Sequence, residues 1–210
     1  MTKSETLRDR RKAETRQRIQ DAARRLIAQN GFEATTMRAL AREAGVGVGT
    51  VALHFQDKTS LLFSSFFKDI SEVSQRAVDG APENVSIREQ FHHMLRTMYG
   101  YYAENTLFLR SVVKEALFAT GEWKERFDTL LEEVVGKVAT LVEVGKVSGE
   151  VRPEASSSDM AMVCWSLYAT GLIDGLNHER FDVQAQVDAV MARLDVVLDG
   201  VLAGGGHGTR

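Results

Sequence analysis

The chain has 210 residues, 44% of them hydrophobic, 26% charged and 8% aromatic, which allows a sizeable core in one or two domains and excludes wholesale disorder. Its longest uncharged apolar stretch, Met160 to Ile173, is shorter than the roughly 20 residues of a membrane-spanning helix. The single cysteine, Cys164, excludes an intrachain disulfide and an all-cysteine metal site. The charged start, MTKSETLRDRRKAETR, lacks the apolar core of a signal peptide. The expectation is therefore a cytoplasmic protein with no cofactor and no membrane association.

The formal net charge of −3 conceals an asymmetry. Residues 1–58 carry 12 Lys/Arg against 7 Asp/Glu, a net of +5, whereas the remaining 152 carry 14 against 22, a net of −8. An N-terminal segment that faces a polyanion has this signature, and so does a solvated basic helix.

In chain order, helical spacing runs throughout and no strand pattern appears. Ile19, Ala22, Ala23, Leu26 and Ile27 form a stripe that Asn30-Gly31 ends. Thr35 and Thr36 offer caps to a short helix over Met37–Glu43, closed by Ala44-Gly45. Another short helix fits Gly47–His54, and a longer one starts near Asp57 with Leu61, Leu62, Phe66, Ile70 and Val73 on one side. Beyond Pro82, stripes follow from Ile87 to Tyr102, from Leu109 to Leu117 and from Trp123 to Leu141. A helix starting at Ser156–Ser158 is apolar nearly all round from Met160 to Ile173, so it is expected to be buried on more than one side. The last helix has Val187, Val190, Met191, Leu194, Val197, Leu198 and Val201 close to a heptad seam, which wants a partner helix. The fold class is all-α, with about nine helices and no internal repeat.

Two very short helices joined by a tight glycine turn read as a helix-turn-helix. Leu40 and Ala41 are expected inside, Gly45 permits the turn and Val46 plugs it. The second short helix leads with Gly47, Val48, Gly49 and Thr50, the end that reaches base edges in a major groove. Thr35 and Thr36 can donate to phosphate, and Arg38, Arg42 and Lys58 can neutralise it.

The pattern Ile19-x-x-Ala22-Ala23-x-x-Leu26-x4-Gly31-Phe32-x-x-Thr35-Thr36-x3-Leu40-Ala41-x-x-Ala44-Gly45-Val46-x3-Thr50-x3-His54-Phe55-x-x-Lys58-x-x-Leu61 resembles the N-terminal signature of the TetR family of bacterial transcriptional regulators. The resemblance implies a homodimer with a three-helix DNA-binding domain and a larger helical domain for ligand and dimerisation. It also implies a repressor that a small molecule releases from a palindromic operator, and a DNA contact at His54. This chain departs from the family at Val48, where Lys or Arg is frequent, and at Ala52, where a phosphate-contacting Tyr is common. Leu53 likewise stands where an aromatic is common. With no Arg or Lys of its own, this recognition helix is expected to use Thr50 and Val48 against methyl groups and phosphates, leaving much to DNA shape.

The domains expected are a flexible basic arm (1–13) with Arg8, Arg10, Arg11 and Lys12, a DNA-binding domain (14–56), a ligand and dimerisation domain (57–202) and a flexible tail (203–210). Candidate inducer-lining residues are Phe91, Met94, Met98, Tyr102, Phe108, Val112, Trp123, Phe127, Trp165 and Tyr168, which suit an apolar or aromatic small molecule. The dimer is expected through the last two helices, with Gly171-x-x-x-Gly175 allowing close approach. Glu89, His92 and His93 read better as exposed helix residues than as a metal site, and Cys164 as an inert core thiol. The rival readings are a helical-bundle enzyme, which lacks a local nucleophile–base pair or phosphate loop, and a nonspecific DNA-packaging protein, which should be basic throughout.

Overall fold

A computed structural model of the chain describes residues 6–82 and 85–201. Among the described residues the regular elements are nine helices: α1 (Leu7–Asn30), α2 (Met37–Ala44), α3 (Val48–His54), α4 (Lys58–Asp79), α5 (Ile87–Glu104), α6 (Thr106–Ala116), α7 (Gly121–Val147), α8 (Ser157–Asn177) and α9 (Val183–Val201). They group into two compact units, the division falling inside α4 between Ile70 and Ser71. The first unit holds α1, α2, α3, the first part of α4 and α6; the second holds the rest. Contacts thus group α6 with the N-terminal helices, although the sequence reading counts its residues toward the ligand domain.

In the first unit α1 buries Ile19, Ala22, Ala23 and Ile27 of the stripe its spacing predicts, while Leu26 is half-buried. It begins earlier than expected. Thr6 and Asp9 form a capping box, each side chain accepting from the other's backbone N–H at 3.2 Å, so a helix starts at Leu7. Residues 7–13 of the expected flexible arm are therefore helical, while residues 1–5 and the expected tail at 203–210 lie outside the described residues. Leu40, Ala41 and Val51 from the two short helices are almost fully buried, and α6 lies against α1 with Phe108, Leu109 and Val112 inside.

The second unit is built on a cluster of Ile87, Phe91, Val138, Val142, Val151, Met160, Ala161, Leu194 and Leu198. Helix α8 packs along α7 and α9, and α9 also lies against α5. Arg88 of α5 pairs with Asp195 of α9 at 3.1 Å. Two expectations change here. Of the α9 seam, Val187, Val190, Leu194 and Leu198 are spent inside the chain, each no more than 2% exposed, while Met191 and Val197 are half-buried. The close approach at Gly171 and Gly175 is also internal. A Cβ on Gly171 would stand 2.5 Å from both the Tyr99 Oη and Val190 Cγ2, and one on Gly175 2.6 Å from the Phe181 ring. Periodicity identifies a stripe as buried but does not say against which partner.

Because Tyr99 and Val190 are themselves buried, neither can swing away from a new methyl group. Gly171→Ala should lower the unfolding free energy by about 1–3 kcal/mol in urea. Gly136→Ala, at an exposed position in α7 with open space around it, should raise it by about 0.5–1 kcal/mol.

Candidate nucleic-acid interface

The corner between α2 and α3 follows from unpaired carbonyls at a helix end. Gly45 adopts φ +65° and ψ 39°, the left-handed conformation glycine takes without a Cβ penalty. Its N–H reaches the Arg42 carbonyl at 3.2 Å and the Val46 N–H reaches the Ala41 carbonyl at 2.9 Å. At the other end of α2, Thr36 is exposed and its hydroxyl oxygen accepts from the Ala39 N–H at 3.2 Å. Thr35 is not a phosphate donor in this arrangement. It is buried, and its hydroxyl donates to the Gly31 carbonyl at 2.8 Å, fastening the loop to the end of α1.

Helix α3 turns Val51 fully inward, and Phe55 follows it into the core. Gly47, Val48 and Gly49 are exposed, as expected for a leading end, whereas Thr50 is half-buried and its N–H bonds the Gly47 carbonyl at 2.9 Å. The outward face is completed by Ala52 and Leu53, and Leu53 is 85% exposed. In the sequence Leu53 stands out only where the family commonly has an aromatic. The signal that singles it out is the phase of α3: with Val51 inside, Gly49 and Leu53 stand on the opposite side, and Val48 and Ala52 flank them.

The basic residues divide by employment. Arg38 and Arg42 on α2 are exposed and have no side-chain partner among the described residues. Lys58, expected as a phosphate neutraliser, is instead a clamp: its ammonium donates to the Phe32 carbonyl at 2.6 Å and sits 4.1 Å from the Phe32 ring centroid. Arg16 is similarly engaged, donating to the His54 carbonyl at 2.8 Å with its guanidinium 4.2 Å from the Phe55 ring centroid. His54 is half-buried with its Nδ1 enclosed and unpartnered. Burial first, then the charges of Arg16 and Lys12, hold its pKa below 6.5, so it is neutral at pH 7.

The model for "Bacterial regulatory proteins, tetR family" matches residues 19–64, and that for "Tetracyclin repressor-like, C-terminal domain" matches residues 66–187. The chain belongs to the TetR family of bacterial transcriptional regulators. This TetR-family chain is 25% identical over 185 residues to the HTH-type transcriptional repressor KstR of Mycobacterium tuberculosis, covering 88% of this chain and 79% of that one. It is 22% identical over 178 residues to the fatty acid metabolism regulator protein of Bacillus subtilis, covering 84% and 91%. The fold of the transcriptional regulator FadR from Bacillus subtilis, solved in complex with stearoyl-CoA, superposes with a TM-score of 0.71 at 21% identity, covering 91% of this chain and 99% of that one.

In the second unit of this TetR-family regulator the candidate ligand residues divide. Phe91 is part of the core cluster, with Met94 packed against it. Tyr102 and Tyr168 are buried, and Trp165 lies with its ring 5.3 Å from that of Tyr168. Their hydroxyls are partnered internally: Tyr99 donates to the Tyr168 carbonyl at 2.8 Å, and Tyr168 donates to the Tyr102 oxygen at 3.1 Å. Burial pushes the Tyr102 phenol up to about 12 and raises that of Tyr168 well above the ordinary tyrosine value, so both stay neutral. Met98, Trp123 and Phe127 are half-buried, the Trp123 ring lying 5.0 Å from the Arg126 guanidinium. Phe108 and Val112 belong to the core of the first unit. Glu89 caps α5 with Ser86, its carboxylate accepting from the Ser86 N–H and hydroxyl.

Two outcomes follow for the regulator. Lys58→Ala should destabilise the fold by about 1–2 kcal/mol in denaturant titration, since it removes charge-assisted bonds to the α1–α2 loop. For His54, the unfolded chain takes up a proton near pH 6.5 that the folded form resists, so its contribution holds above that pH and is lost below it. Going from about pH 7.5 to about pH 5.5 should lower the melting temperature more in the parent than in His54→Gln.

Proposed function

We propose that this regulator is a repressor that binds a palindromic operator as a homodimer and leaves it when a small apolar or aromatic ligand occupies the second unit. The observation that carries the DNA half of this reading is the exposed face of α3 following a rigid corner, with the exposed cations Arg38 and Arg42 on the preceding helix. Two such helices in a dimer meet successive major grooves when spaced about 34–36 Å apart or a multiple of it. Residues 14–56 serve the DNA and 57–202 the ligand and the second subunit. No catalytic role is assigned. No helix among the described residues is long and apolar enough to cross a membrane, and a cytoplasmic location fits a DNA-bound regulator.

The dimer surface is assigned to the outward sides of α8 and α9. Met162 (46%), Val163 (37%) and Ile173 (40%) on α8 and Val196 (76%) on α9 are exposed apolar side chains. Two helices from each subunit then make a four-helix interface of the isologous kind. The ligand reading rests on the aromatic group of Tyr102, Trp165 and Tyr168, and on the stearoyl-CoA and fatty acid metabolism in the names of two relatives. To move operator occupancy from nearly full to nearly empty, a ligand must prefer the released state by about 5.5 kcal/mol.

Selecting duplexes from genomic fragments with the full chain tests the DNA reading, and failure to enrich any fragment at low salt overturns it. On the selected site, Arg38→Ala and Arg42→Ala should each reduce the slope of log affinity against log salt by about 1. Sedimentation of Met162→Glu/Val196→Glu should give monomers; a persisting dimer would refute the assigned surface.

A further inference from the structure

The outward face of α3 has an unusual chemistry for a surface meant to discriminate bases. Val48 (46% exposed), Gly49, Ala52 and Leu53 (85% exposed) make it up, and none of the four side chains has a hydrogen-bond donor or acceptor. The polar neighbours are less accessible: Thr50 is half-buried, and half-buried His54 has its Nδ1 enclosed. Bidentate reading of guanine or adenine edges is therefore closed to this face. In the major groove one base-edge group suits an apolar side chain, the C5 methyl of thymine.

We infer that Val48 and Leu53 read thymine methyl groups, and that the operator carries thymines at the base pairs opposite α3. The inference rests on the proposed binding of this helix in a major groove. Duplex DNA is the occupant that fits, because the apolar face follows directly on a helix carrying the exposed cations Arg38 and Arg42, in a segment of net charge +5. An apolar protein partner would need no such cations. Gly49, between the two apolar side chains, has open space around it and lets the backbone approach the base edges. Five residues separate Val48 from Leu53, about 7.5 Å along the helix axis and about 140° around it, so the two side chains address different base pairs.

The test starts from the duplex that the full chain selects from random sequence at moderate salt. Each thymine is then replaced in turn by deoxyuridine, which removes the methyl and keeps the pairing edge. Binding should weaken about fourfold at each methyl that α3 covers, the worth of one buried methyl-sized group. In Leu53→Ala that loss should disappear at one position per half-site while the salt slope stays unchanged, and in Val48→Ala at another. Full affinity after replacement of every thymine would overturn the inference and leave operator binding standing. So would a selected site without thymines, or methyl dependence that survives both substitutions. Failure to select any duplex would overturn operator binding itself, and methyl reading with it.

Discussion

Helices of seven and eight residues do not hold their shape in water unaided, because the cost of starting a helix is not recovered over so few hydrogen bonds. α2 and α3 have these lengths, and the surface proposed for DNA is made of them. They are held from three directions. Gly45 closes the corner in the left-handed region, Leu40, Ala41 and Val51 anchor the inner sides, and Thr35 and Lys58 tie the approach to α2 back to α1 and forward to α4. Two of these fastenings meet on the Gly31–Phe32 backbone: the Thr35 hydroxyl on one carbonyl and the Lys58 ammonium on the next. The loop ahead of the corner is thereby pinned by charge-assisted and buried bonds, which are worth more than exposed ones.

The positive charge of the N-terminal segment does two jobs. Arg16, Arg24 and Lys58 are engaged in the fold: Arg16 on the His54 carbonyl, Arg24 on the Ser65 carbonyl and Asp69, Lys58 on Phe32. Arg25 faces Glu43 at 2.9 Å. The net charge of a segment therefore overstates what a phosphate backbone would meet, since part of it is spent inside the fold, while Arg38 and Arg42 of α2 remain exposed.

Much of the architecture was legible in the residues. The α1 stripe, the inward Leu40 and Ala41 and the glycine at the corner follow from spacing and backbone preference, and the structure has them there. Other features needed coordinates. Thr35 and Thr36 are chemically alike and adjacent, and only the path of the loop decides that one caps while the other is buried against Gly31. Lys58 matched a phosphate contact by type and position, but an aromatic face and a carbonyl 26 residues away claimed it. The two α8 glycines do mark close packing, but against Tyr99, Val190 and Phe181 of the same chain, and the α9 seam packs on α5 and α8. A short helix such as α3 has too few residues for its phase to be read from apolar spacing, so the exposure of Leu53 emerges only once Val51 is seen inside.

Cys164 lies half-buried on α8 against the core, and burial pushes its thiol up to about 12. At neutral pH it stays protonated, and a protonated thiol is a poor nucleophile toward alkylating reagents. As the chain's sole cysteine, it leaves the background nearly silent. A fluorophore or spin probe attached through a cysteine introduced at an exposed site would thus report from that site alone, and the native sulfur would need no prior removal.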